Sequence, residues 1–260
     1  GLHAPGRTTV IEPLPTRDHT ERMLRFFGAE VDVKTREDGT RAVTVGGNAE
    51  LTGAHVVVPG DPSSAAFLVA AALVCPGSDL VIENVLLNPT RTGFFETLRD
   101  MGADIEILRQ HEEAGEPIGD LHIRSSDLKG VRVPPERAPS MIDEYPMLAA
   151  LAAFAHGETR MEGLAELQVS VSERLAATAA GLAACGVEAH IEGDDLIVSG
   201  TGTVQGGGLV ETQLDHRIAM AFLTLGLGAE EPVTVDDIGM IATSFPAFLP
   251  LMSGLGAQLG

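Results

Sequence analysis

The chain has 260 residues, which is enough to bury a large core as one or two domains. Hydrophobic residues make up 44% of it but aromatic residues only 4%, so we expect a core of packed Ala, Leu and Val side chains. The formal net charge of −20 at pH 7, without any basic run, argues against a nucleic-acid surface, because phosphate backbones attract clustered Lys and Arg.

Cysteine usage and hydropathy indicate the cellular compartment. Cys75 and Cys185 stand at the ends of apolar stretches without the spacing of a metal or redox motif, which indicates buried free thiols in a reducing compartment. The longest apolar run, residues 65–74, is too short to span a bilayer, and no signal peptide opens the sequence. We therefore expect a soluble, cytoplasmic protein.

The first 55 residues have the pattern of an incomplete α/β unit. Asp38-Gly39 is a typical hairpin turn between two β-branched stretches. The predicted elements are a strand over residues 8–12, a helix over residues 16–28 and hairpin strands over residues 31–35 and 41–45.

A glycine-containing connector over residues 46–58 suggests a domain boundary. We predict the end of a truncated first domain over residues 1–55 and a second domain over residues 56–260. Because the chain opens in the middle of a unit, we expect it to derive from something longer. Its exposed strand edges and apolar helix faces are then expected to pair with a separate N-terminal half or with a second copy.

A longer pattern then repeats three times. In each copy an acid, Asp61, Asp143 or Asp215, precedes an apolar run, and a β-branched strand and an amphipathic helix follow. Repeats of roughly 70 to 85 residues are too long for a simple solenoid and too regular for chance. We therefore predict an α/β fold whose units pack around shared buried helices.

The predicted elements of the three copies follow in chain order. The buried helices start at the three acids and extend over residues 61–73, 143–155 and 215–225. The strands after these helices cover residues 80–83, 159–162 and 233–236. The amphipathic helices cover residues 90–102, 172–186 and 243–256. Closing strands follow in the first two copies, over residues 103–107 and 187–191. Residues 109–119 are predicted to form a surface excursion, and residues 201–208 a hairpin loop.

Four arginines, Arg17, Arg91, Arg174 and Arg217, stand at predicted helix starts. A cation there is unfavourable by about 0.3 to 1 kcal/mol unless an anion neutralises it. If the helices are parallel, their N-termini converge and form a site for a phosphate or carboxylate ligand. The alternative is that each arginine pairs with a neighbouring acid, Asp18, Glu173 or Asp215, in a surface or interdomain salt bridge.

Asp143 has two readings that the sequence alone leaves open. An acid at the start of a buried helix caps free N–H groups and complements the helix dipole. It could equally serve as a general base, since burial among helices tunes a carboxylate towards the working pH.

Several motifs carry a family resemblance: Thr16-Arg-Asp-His-Thr-Glu, Pro59-Gly-Asp-Pro-Ser-Ser, Asn88-Pro-Thr-Arg-Thr-Gly, Arg137-Ala-Pro-Ser-Met-Ile-Asp-Glu-Tyr-Pro, Leu214-Asp-His-Arg-Ile-Ala-Met and Ile241-Ala-Thr-Ser-Phe-Pro. Together they resemble the EPSP synthase family, most closely its bacterial glyphosate-tolerant class, and specifically the C-terminal part of the family protein. The resemblance implies βαβαββ units with buried parallel helices in an inside-out α/β barrel, of which this chain holds about three and a half.

The resemblance also implies a reaction. The family moves the enolpyruvyl group of phosphoenolpyruvate to the 5-hydroxyl of shikimate-3-phosphate, in the shikimate pathway of aromatic amino acid and chorismate biosynthesis, without metal or cofactor. Asp143 would be the catalytic base and a substrate contact. Arg174 and Arg217 would bind phosphoenolpyruvate, and Arg17 the shikimate phosphate.

One segment departs from the family pattern. Where the family has a Lys-Glu pair, this chain has Ser170 and Val171. Ser170 stands at a substrate-binding position and Val171 at the position of the acid that protonates carbon. The resemblance therefore implies an impaired enzyme.

Two other functions remain open at this stage. One is a non-catalytic domain that keeps an anion-binding cleft or assembles a partner. The other is an enolpyruvyl transferase acting on a UDP-sugar.

Overall fold

The computed structural model describes residues 1–14, 16–164 and 172–259. The helices are α1 (His19–Phe26), α2 (Pro62–Val74), α3 (Gly93–Asp100), α4 (Tyr145–Ala152), α5 (Ser172–Ala184), α6 (His216–Gly226), α7 (Ile241–Ser244) and α8 (Phe248–Gly254). The strands are β1 (Arg7–Glu12), β2 (Val31–Thr35), β3 (Arg41–Gly46), β4 (Asp79–Leu86), β5 (Asp104–Glu113), β6 (Glu116–Arg124), β7 (Arg132–Val133), β8 (His156–Met161), β9 (Glu188–Glu192), β10 (Asp195–Thr201), β11 (Leu209–Val210) and β12 (Thr234–Val235).

The N-terminal segment forms a three-stranded antiparallel sheet in the order β1-β3-β2. The predicted β2–β3 hairpin is confirmed, and Asp38 stabilises its turn by accepting from the N–H and hydroxyl of Thr40. Several apolar side chains of this segment are exposed, among them Val10, Leu14 and Met23. Whether a further domain or a second copy covers them stays a prediction.

The remaining strands form separate small sheets, in the orders β4-β6-β5, β7-β8-β10-β9 and β11-β12. In the second and third, a parallel pair, β7 with β8 or β11 with β12, is formed by the two strands that precede and follow one of the buried helices, α4 or α6. The predicted α/β fold of repeated units is thus confirmed.

Two loop predictions are wrong. Residues 109–119 are not an excursion, because β5 and β6 continue to a tight turn at Ala114 and Gly115, both with positive φ. Residues 201–208 are not a hairpin loop but a crossover from β10 to β11, which lies in a different sheet. In both places the turn residues were visible in the sequence, but their pairing partners were not.

The three apolar helices α2, α4 and α6 pack against one another in the core. Every residue of α4 is buried, as its apolar sequence predicts. Two of the three acids cap their helices, since Asp61 accepts from the N–H groups of Ser63 and Ser64, and Asp215 does the same for α6. Asp143 does not cap α4: it lies in a short 3-10 turn before that helix.

The third amphipathic helix is broken, contrary to the prediction of one helix over residues 243–256. It forms α7 and α8, with Pro246 between them. Proline disfavours helical backbone at the residue before it, and Phe245 accordingly adopts φ −135° and ψ 71°. The ring of Phe248 in α8 still reaches the core, where it meets Phe67 of α2 edge-on.

The thiols of Cys75 and Cys185 are free, and Cys185 is buried as predicted whereas Cys75 is partly exposed. Among the helices of the described residues, none is long and apolar enough to cross a membrane.

Candidate active site

The carboxylate of Asp143 lies between two guanidinium groups from distant parts of the chain. Nη2 of Arg17 donates to Oδ2 of Asp143 at 3.0 Å, and Nε of Arg217 lies 3.5 Å from Oδ1. Arg17 precedes α1, whereas Arg217 is the second residue of α6. The fold thus brings together three side chains that the sequence predicted for one site.

Arg174, in the first turn of α5, joins this group through Asp215. Its Nε donates to Oδ2 of Asp215 at 2.7 Å, and both side chains are mostly buried. The other oxygen of Asp215 accepts from the backbone N–H groups of Arg217 at 2.8 Å and Ile218 at 3.4 Å. Asp215 therefore orients Arg174 and fixes the start of the helix that carries Arg217.

The arginines form salt bridges, but only some of them do so with the neighbouring acids that the salt-bridge alternative names. Arg17 pairs with Asp143, 126 positions along the chain, whereas its neighbour Asp18 binds Arg22 at 2.9 Å. The side chain of Arg217 faces Asp143 and not Asp215. These contacts gather the charges at one place instead of dispersing them along the surface.

The cluster of Arg17, Arg174, Arg217, Asp143 and Asp215 carries a surplus of positive charge. Three guanidinium groups face two carboxylates, and the arginines lie in or next to the first turns of helices. The positive end of a helix dipole adds to this surplus. The arrangement suits a phosphate or carboxylate ligand, which arginine binds through its planar fork.

Burial and charge act in opposite directions on Asp143. Burial favours the protonated form, but Arg217, Arg17 and Arg174 outweigh it and lower the pKa of Asp143 below its ordinary value. The expectation of a base tuned towards the working pH is therefore wrong for the site without an anion, because the arginines stabilise the carboxylate. An anion that neutralised them would raise this pKa.

Arg91, the fourth arginine of the prediction, belongs to a neighbouring network. Its Nη2 donates to Oδ1 of Asp61 and to Oγ of Ser63, each at 2.9 Å. The Ser63 hydroxyl donates in turn to Oε1 of Glu144. These bonds connect the N-terminus of α2 to that of α4, so Arg91 supports the site from one side.

A buried asparagine that the sequence reasoning missed fixes the orientation of α1. Asn88 is fully buried, and its Nδ2 donates to Oδ1 of Asp18 at 2.7 Å and to Oε2 of Glu116 at 2.8 Å. Its Oδ1 accepts from the N–H and hydroxyl of Thr90. Because Asp18 directly follows Arg17, this network holds Arg17 towards Asp143. In the sequence, Asn88 stood out only as the first residue of the motif Asn88-Pro-Thr-Arg-Thr-Gly, without a role of its own.

Two predicted site residues, Ser170 and Val171, lie outside the described residues. Their position relative to the arginines stays a prediction.

Comparison with known proteins identifies relatives along nearly the whole chain. A sequence model of the family EPSP synthase (3-phosphoshikimate 1-carboxyvinyltransferase) matches residues 1–252. The 3-phosphoshikimate 1-carboxyvinyltransferase of Methylorubrum extorquens is 62% identical over 262 residues, which cover 100% of this chain and 58% of the relative. The protein of that name from Brucella canis is 59% identical over 261 residues, again covering 100% of this chain and 58% of the relative. The chain therefore spans somewhat more than half the length of these relatives.

Solved structures agree with these relatives. An EPSP synthase from Acinetobacter baumannii superposes with a TM-score of 0.89 at 43% identity, over 96% of this chain and 57% of that one. The enolpyruvyl transferase NikO from Streptomyces tendae shares the fold, with a TM-score of 0.71 at 18% identity over 98% of this chain and 56% of that one. With its fold, its clustered arginines and a family match across residues 1–252, the chain belongs to the EPSP synthase family.

Proposed function

We propose that this chain supplies one side of an active site that transfers the enolpyruvyl group of phosphoenolpyruvate to the 5-hydroxyl of shikimate-3-phosphate. The observation that carries the proposal is the cluster in which Arg17 and Arg217 face Asp143 and Arg174 joins them through Asp215. Both substrates are anions, and the cluster has a surplus positive charge. The portion of the family protein that the chain does not span would supply the other side.

The roles in this proposal are those that the resemblance to the family implies for these residues. Arg174 and Arg217 bind the phosphoenolpyruvate anion, and Arg17 binds the phosphate of the shikimate substrate. Asp143 accepts the proton of the 5-hydroxyl while the hydroxyl oxygen attacks the central carbon of the enolpyruvyl group and the methylene carbon gains a proton, which gives a tetrahedral intermediate. This intermediate then loses inorganic phosphate together with one proton of its new methyl group, which restores the carbon–carbon double bond. Substrate anions neutralise the arginines, which raises the pKa of Asp143 and makes it a stronger base when substrates are present.

The protonation of the methylene carbon limits the reaction in this proposal. Val171 stands at the family position of the acid and has no proton to give, whereas Ser170 at the lysine position keeps only a hydroxyl contact with substrate. Loss of a general acid typically lowers the rate by about 10²- to 10⁴-fold. We therefore expect slow turnover.

Reconstitution tests the proposal. The chain is mixed with the separately expressed part of the Methylorubrum extorquens relative that it does not match, and phosphate release from the two substrates is measured. We expect slow release, which the double change Ser170→Lys and Val171→Glu raises by about 10²-fold or more. An Asp143→Asn version of the doubly changed chain serves as the inactive control. Substrate binding without release in every combination would contradict the proposal and favour a non-catalytic anion-binding domain.

Two finer assignments belong to the same proposal. We infer that residues 1–55 end a first domain and residues 56–260 form a second, which limited proteolysis between them would test. We also infer membership of the glyphosate-tolerant class, for which glyphosate should inhibit the reconstituted activity only weakly. Strong inhibition by glyphosate would contradict the class assignment, but it would not contradict the proposed reaction.

A further inference from the structure

Glu144, directly after Asp143, is a buried acid that the proposed reaction does not use. Its side chain is 4% exposed, at the point where the N-termini of α2 and α4 meet. The Ser63 hydroxyl donates to its Oε1, and Arg91 donates to Ser63 and not to Glu144. Within the described part of the chain, none of the salt bridges includes Glu144.

A buried carboxylate without an ion pair is unfavourable by several kcal/mol, and such groups usually keep their proton instead. The surroundings of Glu144 agree with this rule. Burial is the main cause that raises the pKa of Glu144, and the neighbouring charge of Asp143 raises it further. The hydrogen bond from Ser63 and the charges of Arg217 and Arg91 act in the opposite direction but do not outweigh these two causes. Asp143 and Glu144 are thus adjacent acids whose environments separate their pKa values.

The charge of Glu144 decides the charge of the site. With a proton on Glu144, the cluster of Arg17, Arg174, Arg217, Asp143 and Asp215 keeps its surplus of one positive charge. Arg91 and Asp61 cancel each other. If Glu144 loses its proton, its negative charge beside Arg217 cancels the surplus.

We propose that Glu144 is a positioning residue of this site, a buried uncharged acid that joins α4 to α2 through Ser63 and whose proton sustains anion affinity. The proposal concerns the site of the proposed function but needs only that the site binds anions. Anion affinity then falls as the pH rises through the titration of Glu144.

Other groups near Glu144 also affect affinity and need to be separated from it. The charged groups that face Glu144 are Arg217, Arg91 and Asp143, and the lowered pKa of Asp143 keeps its carboxylate charged through the neutral range. The hydroxyl of Ser63 carries no charge. His216, the first residue of α6, titrates as well, and burial together with Arg217 lowers its pKa. Its contribution is common to wild type and a Glu144 variant, so their difference isolates Glu144.

Sulfate is the probe, because it keeps its charge over the whole pH range, unlike phosphate or phosphoenolpyruvate. Sulfate affinity of the chain is measured by calorimetry between about pH 5.5 and about pH 8.5, the range in which buried Glu residues titrate. We expect the wild-type affinity to fall by about 5-fold or more, as one added charge near the ligand requires. Glu144→Gln keeps an acceptor for Ser63 but no ionisable group, so we expect its affinity to fall only by the part that His216 contributes, and therefore less than that of wild type. Glu136→Gln, at an exposed acid on the same stretch, is the matched control and should follow wild type.

A second measurement does not depend on the Gln variant folding. The side-chain carboxyl carbons of ¹³C-labelled glutamate are titrated by NMR in the wild-type chain, and the signal that is lost in a Glu144→Asp chain is assigned to Glu144. We expect this signal to titrate above the range of the other glutamates, and Asp143→Asn to lower its midpoint because a neighbouring negative charge is gone.

Three results would overturn the inference: sulfate affinity that does not change with pH, the same pH dependence in Glu144→Gln, or an ordinary titration of the Glu144 signal. Failure of the proposed function looks different. If sulfate affinity depends on Glu144 but reconstitution gives no phosphate release, the inference about Glu144 stands and the proposed reaction is contradicted. If reconstitution gives turnover but sulfate affinity does not depend on pH, the proposed reaction stands and the inference about Glu144 is contradicted.

Discussion

Replacing Asp143 by Asn distinguishes two roles of this residue, that of a general base and that of a counterion to the arginines. The substitution keeps the shape of the side chain and removes the charge that faces Arg17 at 3.0 Å and Arg217 at 3.5 Å. An anion on the far side of these guanidinium groups lies about 6 Å from Asp143, where one unit charge contributes ~3 kcal/mol at an effective dielectric of ~20 and ~0.7 kcal/mol in bulk water. Since Asp143 is partly exposed, we expect a gain of about 1 to 2 kcal/mol, or roughly 5- to 30-fold, in sulfate affinity.

The same substitution should abolish turnover in the reconstituted, doubly changed enzyme, because the amide accepts no proton. If Asp143 is a general base among arginines, the Asp143→Asn variant should bind anions more tightly and yet lose turnover. Asp195→Asn is the matched control, since Asp195, in β10, also pairs with an arginine at 2.7 Å, but this arginine, Arg160, does not belong to the cluster around Asp143. It should leave sulfate affinity unchanged.

Stability should respond to Asp143 in a defined direction. Because its pKa is lowered in the fold, Asp143 stabilises the folded state above its unfolded pKa, and this stabilisation is lost as the pH falls through the folded value. For a partly exposed pair we expect Asp143→Asn to lower the free energy of unfolding by about 1 kcal/mol at neutral pH. The difference in unfolding free energy between wild type and Asp143→Asn should disappear in acid.

The binding experiment has its own refuting result. Unchanged or weaker sulfate binding by Asp143→Asn would show that the arginines do not surround an anion site.

Three further variants test separate parts of the structure. Asp61→Ala removes the cap of α2 and should lower the free energy of unfolding by about 1 to 2 kcal/mol in urea, and a loss below ~0.3 kcal/mol would contradict the capping role. Phe248→Ala empties a fully buried position next to Phe67 and should cost about 3 to 5 kcal/mol in the same assay, whereas a surface-like loss would show that α8 does not pack in the core. Arg174→Gln leaves the charge of Asp215 uncompensated and should weaken sulfate binding by roughly 5-fold or more in calorimetry, and wild-type affinity would exclude Arg174 from the site.

The sequence predicted the repeated helices and strands because their signals are local. An acid before an apolar run identified α2 and α6 together with their caps, and Asp38-Gly39 identified the β2–β3 hairpin. Those features depend on residues within a few positions of one another.

Where tertiary contacts decide, the sequence was insufficient. Asp143 looks like the other two capping acids, but Arg17 and Arg217, far away in the chain, orient its carboxylate instead. Pro246 divides the last amphipathic helix, although its periodicity continues on both sides. Glu144 appeared only within the motif that begins at Arg137 and received no role, because its burial against Ser63 depends on how α2 and α4 meet.

A crystal structure of the chain with phosphoenolpyruvate tests the central claim, an anion-binding site around Asp143, most directly. We predict that the ligand's phosphate or carboxylate lies against the guanidinium groups of Arg174 and Arg217, with Asp143 at its side. A ligand bound elsewhere, with the Arg17–Asp143 and Arg174–Asp215 pairs unchanged at saturating concentration, would contradict it.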